Sequence, residues 1–164
     1  MIIGILHLLH CPCLILLPFF VNNPIFNILY IEYFFIIMFL YTFIDGECPI
    51  SYFYKKQKDP TYIAGSRIHD YPEISEIFVL SQKEKHISIY FGTNTCMYVG
   101  SLYYVINRSN IPFSLFIIPT NSIILYFAFL YFSPKHLLFY LIQDTNKIIL
   151  FLFILCLIRG EIYV

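Results

Sequence analysis

Two stretches at the start of the chain are apolar almost without a break. Pro24 to Ile44, PIFNILYIEYFFIIMFLYTFI, carries one charged side chain, Glu32, in 21 positions. A helix of that length measures about 31 Å and matches the ~30 Å hydrocarbon core of a bilayer. Proline suits its first position, Asp45-Gly46 stops it with a charge and a permissive backbone, and Tyr30, Tyr33 and Tyr41 fit a span whose rings reach toward the interfaces. Met1 to Val21 is as long and as apolar, interrupted by His7, His10, Pro12 and Pro18. Proline is tolerated inside a membrane helix when neighbouring helices satisfy the carbonyls it frees. With Asn22-Asn23 as a polar turn, residues 1–45 are expected to form a transmembrane helical hairpin. The first run has no Lys or Arg before it and no small-residue cleavage site after it, so it is expected to be retained.

The second apolar half, 111–164, offers one or two more spans. Ile111 to Phe132 is split by Pro119-Thr120-Asn121-Ser122. Leu137 to Ile158 carries Gln143, Asp144, Thr145, Asn146 and Lys147 at its middle. Its 15 Leu, Ile and Phe contribute roughly −5 to −9 kcal/mol to insertion, against about +5 to +7 for a central Asp and Lys. Asp144 and Lys147 are three apart, so they can pair on one helix face and reduce that cost.

Between the halves, residues 46–110 hold 13 of the 20 charged side chains. Pro72 to Lys85 has early acids and late lysines, which suits a short helix. His86 to Phe91 alternates as HISIYF, Gly92-Thr93-Asn94 offers a turn, and Cys96 to Ile106 is rich in Tyr and Val, a pattern that predicts a β-hairpin. The fold class expected is therefore predominantly α: a multi-pass helical membrane protein of two to four spans with a small α+β polar segment between two apolar halves.

Composition reinforces this. Hydrophobic residues make up 59% and charged residues 12%, about half the usual quarter. Too few polar side chains remain to cover a soluble domain, which argues against a free soluble enzyme. A preponderance of Phe, Ile, Tyr, Asn and Lys, with two Ala, points to AT-rich DNA. Such DNA yields apolar reading frames by base composition alone, so a translated frame with no selected function is one reading of the chain. Net charge is zero, and nothing suggests nucleic acid. Five scattered cysteines form no disulfide framework.

Candidate chemistry centres on Glu32, because an ionisable residue inside a span costs several kcal/mol unless neutral or paired. If the hairpin turns at Asn22-Asn23, Glu32 lies level with Cys13 and about one turn from His10. His10, Cys11, Cys13 and Glu32 would then converge, a set suited to zinc, copper or a proton relay. The string His7-x-x-His10-Cys11-Pro12-Cys13 lacks the second pair that makes zinc motifs specific. His69-Asp70-Tyr71-Pro72-Glu73-Ile74-Ser75-Glu76 gathers three acids and a histidine, with Glu73 and Glu76 on one face, and also reads as a solvated acidic first turn. Asn107-Arg108-Ser109 matches the N-glycosylation pattern but abuts a span, and Ile162-Tyr163-Val164 could pair as a strand in a peptide-binding groove. No phosphate loop, G-x-S-x-G or H-E-x-x-H occurs.

The expected function is a structural or assembly role in a membrane rather than catalysis, with no cofactor and with lipid, membrane-protein partners or a second copy as neighbours. The alternatives are the unselected reading frame and a proton, ion or metal transport component using Glu32 and the His10 to Cys13 cluster. Lys55, Lys56 and Lys58 follow the second span and Arg108 precedes the third, so the positive-inside rule predicts residues 46–110, and the N-terminus with them, to be cytosolic.

Overall fold

The structure, a computed structural model, describes residues 2–68, 70–75, 77, 83–109, 111–132 and 137–159, and helix is the only regular secondary structure among them. The order is α1 (Ile2–Phe20), α2 (Pro24–Phe43), α3 (Pro49–Lys58), α4 (Pro72–Ser75), α5 (Lys83–Arg108), a 3-10 turn (Phe113–Phe116), α6 (Ile117–Phe132) and α7 (Leu137–Ile158). Among the described residues three helices are long and apolar enough to cross a membrane: Ile2–Phe20, Pro24–Phe43 and Leu138–Ile158. The chain is thus predominantly helical, with the length and composition of a membrane-embedded protein.

The α1–α2 hairpin forms where the polar turn was expected. Asn23 caps α2, its side chain accepting from the Ile25 N–H at 2.8 Å, which satisfies one of the orphan donors at a helix start. At the far end Asp45 (φ 56°) and Gly46 (φ 82°) take left-handed conformations that end the helix.

The strand hairpin expected over His86 to Ile106 is replaced by one helix, α5. Alternation over HISIYF covers only six residues, whereas burial follows helical spacing for the whole segment. Ile87, Asn94, Tyr98, Ser101, Leu102, Val105 and Ile106 are buried, and this face packs on α1 and α2. Tyr and Val favour strands only through the surfaces they meet, and here those surfaces are helices. Of the helix expected over Pro72 to Lys85, the described part is α4 and the start of α5; Glu76 and residues 78–82 lie outside the described residues.

Three contacts fix the direction of α5. Tyr90 donates to the Leu8 carbonyl, Ser101 to the Ile15 carbonyl and Arg108 to the Val21 carbonyl, so α5 runs parallel to α1 along its length. The segment 46–110 therefore divides. Cys48 of the α2–α3 connection and Glu73 of α4 lie at the N-terminal end of α1, against His7, while Arg108 closes the opposite end at the α1–α2 turn.

Two of the α5 and α2 contacts answer the prolines in α1. Pro12 and Pro18 have no N–H for the carbonyls of Leu8 and Leu14, four residues earlier. The Tyr90 hydroxyl takes Leu8 at 2.5 Å and the Tyr30 hydroxyl takes Leu14 at 3.0 Å. Arg108 completes the end of α1, donating to the Pro18 and Val21 carbonyls and to the Asn27 side chain.

Helices α6 and α7 pack as an antiparallel pair against α2. Phe35 meets Phe116 at 5.9 Å and Phe153 at 4.7 Å between ring centres, and Tyr126 stacks on Phe139 at 5.9 Å. The core runs through Ile31, Phe34, Phe35, Val105, Phe116, Leu150 and Leu157. The polar residues of α7 separate by face. Asp144 and Lys147 pair at 3.4 Å on its outer side, as their spacing implied. Gln143 and Asn146 are buried: Gln143 donates to the Thr42 carbonyl and the Asp45 carboxylate, and Asn146 donates to the Thr42 hydroxyl and accepts from Ser122. These polar groups are level with the last turn of α2, not with its middle.

Candidate functional site

The residues singled out in α1 and α2 do not converge. The His10 imidazole faces the Tyr33 hydroxyl at 2.5 Å. Cys11 is half-buried, Cys13 is exposed, and Glu32 is half-buried with no side-chain hydrogen bond among the described residues. No group of three or more His, Cys, Asp or Glu arranged to hold a metal ion occurs among the described residues. In the acidic run, His69 and Glu76 lie outside the described residues. Asp70 faces Arg67 at 3.9 Å with both side chains exposed, and Glu73 is fully buried.

Glu73 leads to a different cluster. Its Oε1 sits 2.8 Å from His7 Nδ1 and also accepts from the Ser51 hydroxyl. On the other side of the same ring, His7 Nε2 is 3.1 Å from the Cys48 sulfur. Carboxylate, imidazole and thiol therefore form a line, with the base held by the carboxylate and facing the sulfur. This is the relation a nucleophile, its base and an orienting group require. Because the two ring nitrogens point in opposite directions, carboxylate and thiol cannot bind one ion together with this histidine.

Each member is placed by a local feature. Gly4 lets α4 approach α1: a Cβ there would lie 2.0 Å from the Glu73 carbonyl oxygen. Cys48 is the N-cap residue of α3, which starts at Pro49 and places Ser51 in its first turn. Phe91 of α5 lies 4.9 Å from the His7 ring and Tyr71 6.3 Å, and these two aromatic rings stack at 4.8 Å. Imidazole rotation is thereby restricted.

Burial alone pushes the Cys48 thiol up. The hydrogen bond and charge of His7, with the Tyr41 hydroxyl, outweigh it and hold the thiol below its ordinary value. Burial likewise pushes Glu73 up, while the His7 and Ser51 hydrogen bonds bring it below the usual carboxylate range. Among the described residues Glu73 Oε2 is buried without a partner, and the His7 and Ser51 hydrogen bonds both go to the other oxygen. An unsatisfied buried acceptor is costly and rare in native structures.

A second buried network fastens the α3 end of the same region. Lys55 pairs with Glu47 and donates to the Arg67 carbonyl at 2.6 Å, while Glu47 also accepts from the Tyr62 hydroxyl at 2.7 Å and the Gly65 N–H at 3.2 Å. Both charges are nearly inaccessible and each has several partners, the condition under which a buried pair is tolerated.

Beside His7 a largely apolar groove of about 550 Å³ opens on α1, lined also by Ile3, Leu6, Leu9, His10, Cys13 and Ile50. Neither the groove nor the Cys48–His7–Glu73 line is legible from spacing. His7 and Glu73 stand 66 positions apart and Cys48 and His7 stand 41 apart. The sequence marks His7 in the His7-x-x-His10 string and Glu73 in the acidic run, but no spacing joins either of them to Cys48.

The chain matches no protein-family model, no curated protein and no solved structure.

Proposed function

We propose that this chain is an integral, multi-pass membrane protein with a structural or assembly role, in which α5 crosses the bilayer beside α1. The observation that carries this reading is the parallel pairing of α5 with α1. Residues 87–106 contain no charged side chain, a stretch of about 30 Å as a helix. They supply Tyr90 and Ser101 to α1 carbonyls that have no water to turn to in hydrocarbon. The matched placement of Tyr90 against the gap left by Pro12, and of Tyr30 against that left by Pro18, supports a selected fold over a reading frame without a role.

With α5 as a crossing, the N-terminus of α1, α3 and α4 lie on one side, and Arg108 with the C-terminal end of α7 on the other. Residues 46–85 carry six Lys and Arg, against Arg108 and Arg159 at the opposite end. The positive-inside rule then makes residues 46–82 cytosolic and moves 109–112 to the other side. Lipid covers the outward apolar faces, such as Leu6, Leu16, Phe20 and Leu152, unless a membrane protein or second copy replaces it.

Tags at residue 60 and at residue 110, read by protease protection in sealed microsomes after carbonate extraction, test this. Retention in the membrane with opposite protection of the two tags is expected. Equal protection would place α5 outside the bilayer, and release by carbonate would remove the membrane reading altogether.

A further inference from the structure

We infer that Cys48 is a nucleophilic thiol that accepts a long-chain acyl group as a thioester, with the acyl chain lodged in the groove beside His7. This rests on the membrane reading, because the groove faces outward from α1, where hydrocarbon lies if α1 is a span. Ile3, Leu6 and Leu9 line it and are exposed, Leu6 at 62%. Its volume falls within the roughly 300–1,000 Å³ of small-molecule sites. The occupant that suits such an apolar lining, open to lipid and shared by the His7 and His10 imidazoles, is an acyl chain; for transfer to Cys48, which adjoins the groove through His7, its carbonyl end has to lie at His7.

The remaining geometry is that of acyl transfer to sulfur. His7 Nε2 faces the Cys48 sulfur at 3.1 Å, and Glu73 holds Nδ1 at 2.8 Å, so the base is already in the orientation that receives the thiol proton. In the step, Cys48 Sγ attacks the carbonyl carbon of an acyl thioester donor and the Sγ–C bond forms. The donor's own C–S bond breaks, and its departing thiolate takes the proton that His7 Nε2 accepted from Cys48. The products are acylated Cys48 and a free donor thiol, with no oxidant or reductant needed. Cys48 is 5% exposed, which shields the product thioester from water. Ser51 and Glu73 act on Cys48 through His7 and are positioning residues.

The full-length chain in isolated membranes is incubated with an alkyne-tagged palmitoyl thioester of coenzyme A. The label is scored for release by neutral hydroxylamine, which cleaves thioesters. Wild type is expected to take up hydroxylamine-labile label, and Cys48→Ser less than about a tenth of it. Glu73→Gln is expected to slow uptake about a hundredfold while leaving the final extent unchanged, a split that a purely structural role would not give. Leu6→Trp, at an exposed position in the groove, is expected to cut labelling by the long chain and spare labelling by an acetyl thioester, so the inference stays testable if Cys48→Ser fails to fold. Undiminished label on Cys48→Ser, loss of label in Cys13→Ser instead, or Leu6→Trp altering cross-linked dimers but not label would overturn it. Absence of label on wild-type chain that resists carbonate extraction sinks this inference alone, whereas extraction by carbonate sinks the membrane reading beneath it.

Discussion

The Tyr90 hydroxyl donates to the Leu8 main-chain carbonyl at 2.5 Å, the carbonyl that Pro12 leaves without its helical donor. One side chain of α5 thus repairs a defect built into α1, and the repair is possible only because the two helices lie side by side. Leaving a buried carbonyl unpaired costs about 1–3 kcal/mol. Tyr90→Phe is expected to destabilise the bundle by about that much, and much less in a Pro12→Ala background, where the restored main-chain N–H can reach the Leu8 carbonyl. A double-mutant cycle followed by denaturant unfolding in detergent measures the coupling. Additive effects would show that the hydroxyl serves some other purpose.

Gly4 sets the distance between α1 and α4. Because a methyl group there would lie 2.0 Å from main-chain oxygen of Glu73 and 2.7 Å from Ile77 Cδ1, the backbone itself has to move. Overpacking of this kind costs about 1–3 kcal/mol. Gly4→Ala is expected to carry Glu73 away from His7 and to raise the rate at which Cys48 is alkylated by a membrane-permeant maleimide. A variant with wild-type alkylation kinetics would mean that α4 is not pressed against α1.

The lowered Glu73 value makes part of the stability pH-dependent. The folded state favours the ionised carboxylate below the ordinary value of 4.5. Its contribution is therefore complete above pH 4.5 and is lost as pH falls through the lower, folded value. Protease resistance of the α3–α4 region is expected to fall over that acid window in the wild type and to show a flatter profile in Glu73→Gln. Identical profiles for the two proteins would separate Glu73 from the acid transition.

Glu32 is half-buried on α2, and His10, expected about one turn from its level, is engaged by Tyr33 instead. Glutamine keeps the size and shape of this side chain and removes the ionisable group that is costly inside a span. Glu32→Gln is expected to leave membrane insertion and detergent stability within about 0.5 kcal/mol of wild type, the range of substitutions that break nothing. A large drop in folded protein would identify the carboxylate as a required group and favour the transport reading of α2.

The apolar runs, the Asn22-Asn23 turn and the long α7 were legible along the chain, because span length, proline position and hydropathy are properties of contiguous residues. The pairing of Asp144 with Lys147 was legible for the same reason, since one helical turn brings them together. The partners of the α1 prolines, the helical state of His86 to Ile106 and the Cys48–His7–Glu73 line belong to the tertiary structure. HISIYF alternates well enough to be a strand, and only the surfaces of α1 and α2 select the helix that buries Ile87, Tyr98 and Val105 on one side. His7, Cys48 and Glu73 come from three elements whose meeting depends on close approach at Gly4, on the α2 terminus at Asp45-Gly46 and on the start of α3. Local pattern determines which segments are long and apolar; contacts between helices decide the helical state of α5 and which polar groups face one another.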